Sequence, residues 1–510
     1  MDSDSRETNM GGCGWRLHVR RSLGAFLLTG CRKGNRVTTD QSMQQADFSN
    51  FTTDMPIIGF TGALGSGCTY LAKGLERYHN YAYCSLSKPI HDYAAARGVG
   101  QTTDSLQNIG NDLRRQYGLG FLVGVALTEV NKQLPKPGES GRPVGVVVDG
   151  IRNVGEVEAL QQFANFYLVS VQAGTDKRKA RTIGTGKRFR DVEQFTAADE
   201  RDRDEQTEHG QQVKECNYLS DIIIINEDDV SVDAELPYRE YVDKLICRDY
   251  VSLIEHVAKG KLPNERRARP EEALMTVAYV ESKRSSCLKR KVGAVIASFS
   301  GDIIAAGHNE VPEASEPCIH DPRYGWCARD VAQEKLGQEI KHCPSCGKTI
   351  VIKMACKACG ASIDRFAKRC PNVECKAAME FNYVCPKCKR SVFSDFLPGG
   401  GSDKTGKLLD LCRALHAEEN AILNLSKLGM HLPHTHKKLK DNDLSDGCVL
   451  YSTTFPCNLC ANKIVTVGIR KVVYAEPYTM EEAKKVFEKE GVIIERFQGV
   501  KSRAFFRLYA

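Results

Sequence analysis

Near the end of a 510-residue chain, four residues have the types and spacing of a metal centre that activates water. His416 and Glu418 stand two apart in Leu415-His416-Ala417-Glu418-Glu419, and Cys457 and Cys460 stand three apart in Pro456-Cys457-Asn458-Leu459-Cys460. One imidazole and two thiolates give zinc three protein ligands and leave its fourth position open for water. The metal matters because it lowers the pKa of that water from about 15.7 towards about 7. Glu418, two residues beyond the histidine, can reach the water without being a ligand and can move its proton. Pro456 suits the first turn of a helix, where its missing N–H is not needed. A helix N-terminus also favours the thiolate forms of Cys457 and Cys460. Each half alone is a weak signal; together and in this order they are specific.

Such residues need strands and helices to hold them. A helix from about His416, a strand at 449–452, a helix from Pro456 and a strand at 471–474 supply both halves of the centre. Upstream, a helix at about 271–283 and strands at 292–296 and 303–306 complete an α/β unit over 271–510. A cysteine-rich insertion at 312–411 interrupts it. There Cys343 with Cys346, Cys356 with Cys359, Cys370 with Cys375, and Cys385 with Cys388 form four close pairs. Each pair supplies half of a tetrahedral site, as in zinc ribbons, so two structural zinc ions are expected beside the catalytic one. Consecutive pairing is the simplest arrangement, although spacing does not fix it. Lys348, Lys353, Lys357, Arg365, Lys368 and Arg369 make the insertion basic, which suits a solvated surface or subunit contact slightly better than a nucleic-acid grip. Cys318, His320, Cys327 and Cys412 stay unassigned.

The amino-terminal part has a different texture. Residues 1–54 read as a flexible leader, 55–262 as a first α/β unit and 263–270 as a linker. Buried strands are expected at 57–61, 144–149, 166–171 and 221–226, with helices at about 68–78, 154–163 and 238–257. That alternation predicts a parallel sheet. Between the first strand and helix lies Gly62-Ala63-Leu64-Gly65-Ser66-Gly67-Cys68-Thr69. It resembles a Walker A loop, whose backbone N–H groups cradle phosphates. Cys68 stands where the lysine belongs, so an anion-binding nest is expected rather than an active kinase. The charged stretch 177–208, with Arg178, Arg181 and Arg188, suits a mobile lid.

Composition sets outer limits. Hydrophobic content of 42% and charged content of 26% are ordinary for a globular chain. The net charge of +7 fits an anionic small ligand as well as a polynucleotide. Twenty-one cysteines, many in close pairs, point to metal-bound thiolates in a reducing cytoplasm rather than to disulfides. The stretch Leu23 to Gly30 is too short for an export or membrane helix, and no other stretch could span a bilayer.

The order H-x-E then P-C-x-x-C is the signature of zinc deaminases. Its surroundings resemble deoxycytidylate deaminases: Gly307-His308-Asn309 ends a strand as the family's G-x-N does, and Thr453 stands as its T-x-x-P-C threonine. That resemblance implies that Asn309 holds sugar or base and that Tyr474 and Tyr478 close the nucleotide pocket; packing at a strand end is the alternative for the tyrosines. The first unit resembles nucleoside monophosphate kinases. As a whole, from Met55 to Ala510, the chain resembles bacterial antiviral dCTP deaminases. The resemblance implies a kinase-like P-loop sheet joined to a cytidine deaminase-like α/β/α domain that converts dCTP, and also dCMP, to deoxyuridine nucleotides when phage attacks. It further implies, in some systems, restraint by a small RNA; a nucleoside triphosphate read by the P-loop and a homo-oligomer are expected as well. A housekeeping dCMP deaminase and a tRNA or polynucleotide deaminase are the alternatives.

Overall fold

Strands of uniform burial and helices with one apolar face assemble into two sheets. The structure, a computed structural model, describes residues 48, 50–52, 54–184, 187–203, 205, 207–229, 235–261, 266–318, 320, 341–342, 349–350, 412–427, 429, 447–477 and 481–509. Most of the expected leader, the eight paired cysteines of the insertion, Cys327 and Tyr478 lie outside them.

The first sheet is built from β1 (Ile57–Thr61), β2 (Tyr81–Ser85), β3 (Gly145–Ile151), β4 (Phe166–Gln172) and β5 (Ile222–Ile225). Its order is β5-β4-β1-β3-β2, all parallel. Such strands are covered on both faces, and the apolar runs of β1, β3, β4 and β5 reflect that. Helices α1 (Cys68–His79), α2 (Lys88–Ala96), α3 (Thr103–Tyr117), α4 (Phe121–Gln133), α5 (Val154–Leu160), α6 (Thr175–Thr182), α7 (Val192–Arg203) and α8 (Val213–Leu219) join the strands. α9 (Glu235–Val242) continues through a π-helical stretch, Asp243–Val251, into Ser252–Ala258. Sequence reading missed β2, an edge strand with a half-exposed pattern, and the helices α2 to α4.

The second sheet contains β6 (Gly293–Ser298), β7 (Ile303–His308), β10 (Cys448–Thr454), β11 (Lys471–Glu476) and β12 (Ile493–Arg496), in the order β12-β11-β10-β6-β7. β10, β11 and β12 run parallel, whereas β6 is antiparallel to both β10 and β7. α10 (Pro270–Arg284) covers one face, and α11 (Ala417–Lys427), α12 (Asn458–Thr466) and α13 (Glu481–Lys489) complete the unit. Within the insertion, β8 (Lys341–His342) pairs with β9 (Thr349–Ile350). Its two ends are tied at the base, because Glu310 and Leu415 exchange backbone hydrogen bonds of 3.2 and 2.9 Å. The insertion therefore leaves and re-enters the unit at one point. Among the described residues no helix is long and apolar enough to cross a membrane.

The expected division at 263–270 does not describe how the chain closes. β13 (Gly499–Val500) adds an antiparallel strand to β5, and α14 (Ser502–Tyr509) buries Ala504 and Leu508 in the first sheet's core. Residues 499–509, expected in the deaminase unit, thus complete the first one. Ile223 packs in one cluster with Leu274, Tyr279, Val295, Val473 and Phe497 of the second. Asp40–Ala510 is accordingly one compact unit.

Glu272 fastens this junction. It is fully buried, and its Oε1 accepts from Arg266 Nη2 at 2.8 Å and Val500 N at 2.9 Å. Its Oε2 accepts from Arg269 N at 2.9 Å and Tyr509 Oη at 2.9 Å. Gly499 has φ of +148°, and a Cβ there would lie 2.7 Å from Glu272 Cγ, so glycine allows the close approach. Glu272→Ala strands four donors, one of them the Arg266 guanidinium, and is expected to destabilise the protein by about 3–5 kcal/mol in urea unfolding. A cost under about 1 kcal/mol would show that the junction is held elsewhere.

Candidate active site

α11 and α12 begin at the same edge of the second sheet, and this brings together two halves 41 residues apart. Close approach of α11 to β7 requires Gly307: a Cβ there would lie 2.4 Å from Ala421 N. Asn420 and Asn424 then donate to His308 O and Ala306 O, each at 2.8 Å. His416 is thereby fixed directly before α11, and Cys457 caps α12 with extended backbone.

Cys457 Sγ and Cys460 Sγ lie 3.2 and 3.3 Å from His416 Nδ1, and the three donor atoms lie within 4.8 Å of one another. Tetrahedral zinc, with bonds of about 2.0–2.1 Å to nitrogen and about 2.3 Å to sulfur, spans N···S edges of about 3.5 Å. The triangle fits the ion after an expansion of a few tenths of an ångström. Its electrostatics suit a cation as well. Hydrogen bonding from Cys460 and His416 holds the Cys457 thiol down to about 4, and the resulting thiolate, with burial, pushes Cys460 far up. A divalent cation relieves that conflict by taking both sulfurs as thiolates.

Glu418 is buried beside this triangle, and burial raises its carboxyl above the usual range. Ser452 Oγ, fully buried on β10, donates to Glu418 Oε1 at 3.0 Å. Sequence reading passed over Ser452. The available signal was a polar residue at an inward position of the buried strand Cys448–Thr454. Glu419 faces away and forms an ion pair with Lys463 of α12.

The remaining expected residues are disposed differently. Asn309 is buried, but its Nδ2 donates to Arg290 O at 2.8 Å and its Oδ1 accepts from Val292 N at 2.7 Å. It shapes the turn before β6, with one N–H and one lone pair left over. Thr453 Oγ1 accepts from Gly293 N at 3.2 Å, tying β10 to β6. Tyr474 is buried edge-on against Phe455, with ring centres 4.9 Å apart, and its hydroxyl accepts from Arg496 Nε at 3.4 Å. In this arrangement Thr453 is engaged by β6, and Tyr474 by Phe455 and Arg496.

The glycine loop lies in the other sheet. Gly65 and Gly67 have φ of +80° and +102°, the left-handed region that glycine tolerates. Asn226 Nδ2 donates to Ser66 O at 2.7 Å, and Tyr241 Oη donates in turn to Asn226 Oδ1. Burial pushes the Cys68 thiol up to about 12, so a neutral group occupies the lysine position. The stretch expected as a mobile lid contains α6 and α7 and is fastened to the loop. Arg178 is buried, donates to Leu64 O at 3.1 Å and pairs with Asp199. Arg181 caps Gly65 O and pairs with Asp229.

Comparison with known proteins agrees with the centre's chemistry. Residues 372–476 match the cytidine and deoxycytidylate deaminase zinc-binding region. β6 and β7, which precede the insertion, fall outside that match although they share its sheet. The chain is 30% identical over 206 residues to the deoxycytidylate deaminase of Enterobacteria phage T2, covering 40% of this chain and 79% of that one. The chain belongs to the deoxycytidylate deaminase family. It is 24% identical over 256 residues to the Schizosaccharomyces pombe deoxycytidylate deaminase, covering 49% of this chain. It spans only about half the length of the yeast relatives, 52% and 43%. It is also 32% identical over 132 residues to a UPF0200 protein of Pyrobaculum aerophilum, covering 26% of this chain and 67% of that one.

Metal analysis of the purified full chain checks the centre. Cys460→Ser is expected to lower zinc content by one equivalent, whereas Ser452→Ala leaves it unchanged. Equal zinc in wild type and Cys460→Ser would place the bound metal elsewhere.

Proposed function

We propose that the protein is a zinc-dependent hydrolytic deaminase of deoxycytidine nucleotides, converting dCTP, and also dCMP, to dUTP and dUMP. The observation that carries this reading is the buried carboxyl of Glu418 beside the His416–Cys457–Cys460 triangle. Zinc held by those three residues supplies an acidified water. Glu418 would take up a proton from that water and pass it to the ring nitrogen of cytosine as the remaining hydroxide adds to the carbon bearing the amino group; it would then carry the proton of the new hydroxyl to that amino group, which leaves as ammonia. Ser452 is a positioning residue that holds Glu418 Oε1 towards the triangle. Exclusion of bulk water at this buried carboxyl keeps its proton affinity high enough for it to serve as acid as well as base.

The finer reading gives dCTP as principal substrate, its removal starving phage replication, with the glycine loop reading a nucleoside triphosphate and adjusting the deaminase. It is supported by the combination of the loop-bearing sheet, the deaminase unit and the cysteine-rich insertion. The packing of Ile223 in the second unit's core offers a route between the two. A housekeeping dCMP deaminase is the second reading, favoured by the names of the relatives. A polynucleotide deaminase fits less well with a net charge of only +7.

Ammonia release from dCTP, dCMP, deoxycytidine and a cytosine-containing oligonucleotide separates these readings. Turnover of dCTP is expected, falling about 100- to 10,000-fold in Glu418→Ala and about tenfold in Ser452→Ala. Turnover of dCMP alone would move the assignment to the housekeeping enzyme, and of the oligonucleotide alone would overturn it. Gly67→Ala places a Cβ 2.4 Å from Asn226 Nδ2 at a φ of +102°. It is expected to abolish any effect of added nucleoside triphosphates on the rate. An unaltered response would sink the sensing role.

A further inference from the structure

Beside the triangle of the deaminase centre, one other group among the described residues brings three metal-ligating atoms within 4.8 Å of one another: His79, Asp243 and Cys247. It lies in the other sheet's helical layer. His79 is the last residue of α1, whereas Asp243 opens the π-helical stretch and Cys247 follows four residues later, on the same face. Gly74 lets the two helices touch, because a Cβ there would lie 2.5 Å from Val242 Cγ2, directly before Asp243. Leu71 and Leu75 of α1 share one apolar core with Ile246, Cys247 and Tyr250 of the π-helical stretch. Packing beneath the three groups thus sets where their backbones lie.

The contacts within the group are those of ligands rather than of a hydrogen-bonded pair. His79 Nε2 lies 2.8 Å from Asp243 Oδ1. That nitrogen is buried, yet among the described residues it makes no hydrogen bond. Buried polar atoms are nearly always paired, so a ring nitrogen and a carboxylate oxygen held this close without a bond call for a cation between them. The winding of the helix is a second pointer. The chain is α-helical on either side, and π-helical turns within α-helices are found mostly at functional sites.

Charge and access fit as well. Glu255 acts on the Cys247 thiol through its charge, and its own Oε1 is held by Tyr81 Oη at 2.9 Å. Arg239 stands 4.0 Å from Asp243 Oδ2, the oxygen turned away from His79, and so leaves Oδ1 available. Cys247 is 8% exposed, whereas the side chains of His79 and Asp243 are 22% and 26% exposed, which gives an ion a way in from solvent.

We propose that His79, Asp243 and Cys247 bind a divalent cation of the zinc class, which ties the end of α1 to the π-helical stretch. One imidazole, one thiolate and one carboxylate suit zinc or cobalt(II), whereas magnesium and calcium prefer oxygen alone. Tetrahedral zinc spans an N···O edge of about 3.3 Å, so His79 and Asp243 part by about half an ångström as the ion seats. Cys247 releases its thiol proton to solvent when the metal–sulfur bond forms, and water takes the fourth position. Thiolate and carboxylate together balance the charge of the ion. The site shares no residue with the deaminase centre or with the paired cysteines of the insertion.

Zinc content of the full chain, dialysed against zinc chloride and then desalted, tests the proposal. His79→Gln and Cys247→Ala are each expected to hold one equivalent less than wild type. The double variant should lose no more than either, because both changes empty the same site. Adding Cys460→Ser should bring the loss to two equivalents. After removal of metal by a chelator, restored zinc chloride should raise the melting temperature less in either variant than in wild type, and magnesium chloride should not substitute for it. His79 is partly exposed at a helix end, so His79→Gln guards against a Cys247→Ala variant that fails to fold. Wild-type zinc content in both single variants would overturn the proposal and leave His79 and Asp243 as an ion pair. A loss in Cys247→Ala that His79→Gln does not share would overturn it too, since His79 would then hold no metal.

Discussion

A carboxylate fully removed from water holds this molecule together. Glu272 receives donors from the segment before α10, from β13 and from α14, and so gathers stretches of chain more than 200 residues apart. Leaving a buried carboxylate unpaired is costly, so these partners form together or not at all. Because one of them is the last strand of the first sheet and another begins the helix covering the second, the two sheets are bound into one body. Lys501, one residue past β13, reinforces the arrangement. It is buried, donates to Asn217 O and Tyr218 O at 3.2 and 2.8 Å, and is lowered to about 8 by its removal from water.

With the frame closed in this way, the deaminase centre follows from two helix starts at one sheet edge. Glu310 and Leu415 pair at the base of the insertion and hold the G-x-N turn and His416 on neighbouring stretches of chain. Burial then acts on the two acid groups in opposite ways. Glu418 is pushed towards its protonated form, while Cys457 keeps its charge through hydrogen bonds from Cys460 and His416. One environment thus suits both a carboxyl that holds its proton and a cation site.

The other sheet presents the same physics with another outcome. Its glycine loop turns through left-handed backbone at Gly65 and Gly67 and carries a neutral thiol at Cys68. Much of the positive charge of the adjoining helices is already spent, Arg178 on Asp199 and Leu64 O, Arg181 on Asp229 and Gly65 O. The charged stretch is therefore largely a clamp on the loop. Among the described residues Arg188, alone of these three arginines, has no acid partner.

The residues of the zinc centre were legible in the sequence because their roles depend on local spacing: two residues from histidine to glutamate, three between cysteines, and a proline that starts a helix. The strands of the first sheet were legible because burial on both faces leaves continuous apolar runs, and the glycine turn because positive φ selects glycine. Side chains that act across the fold carried no such mark. Ser452 meets Glu418 only because β10 passes beneath α11, and the Asn309 amide is committed only because the turn before β6 folds against it. The edge strand β2 and the helices α2 to α4 lacked a clean period, and β13 is two residues long. His79 and Cys247 stand in no motif; tertiary structure alone brings their donor atoms and that of Asp243 within 4.8 Å of one another. Local spacing sets what a residue can do chemically, whereas the partners it finds are fixed by contacts between segments far apart in the chain.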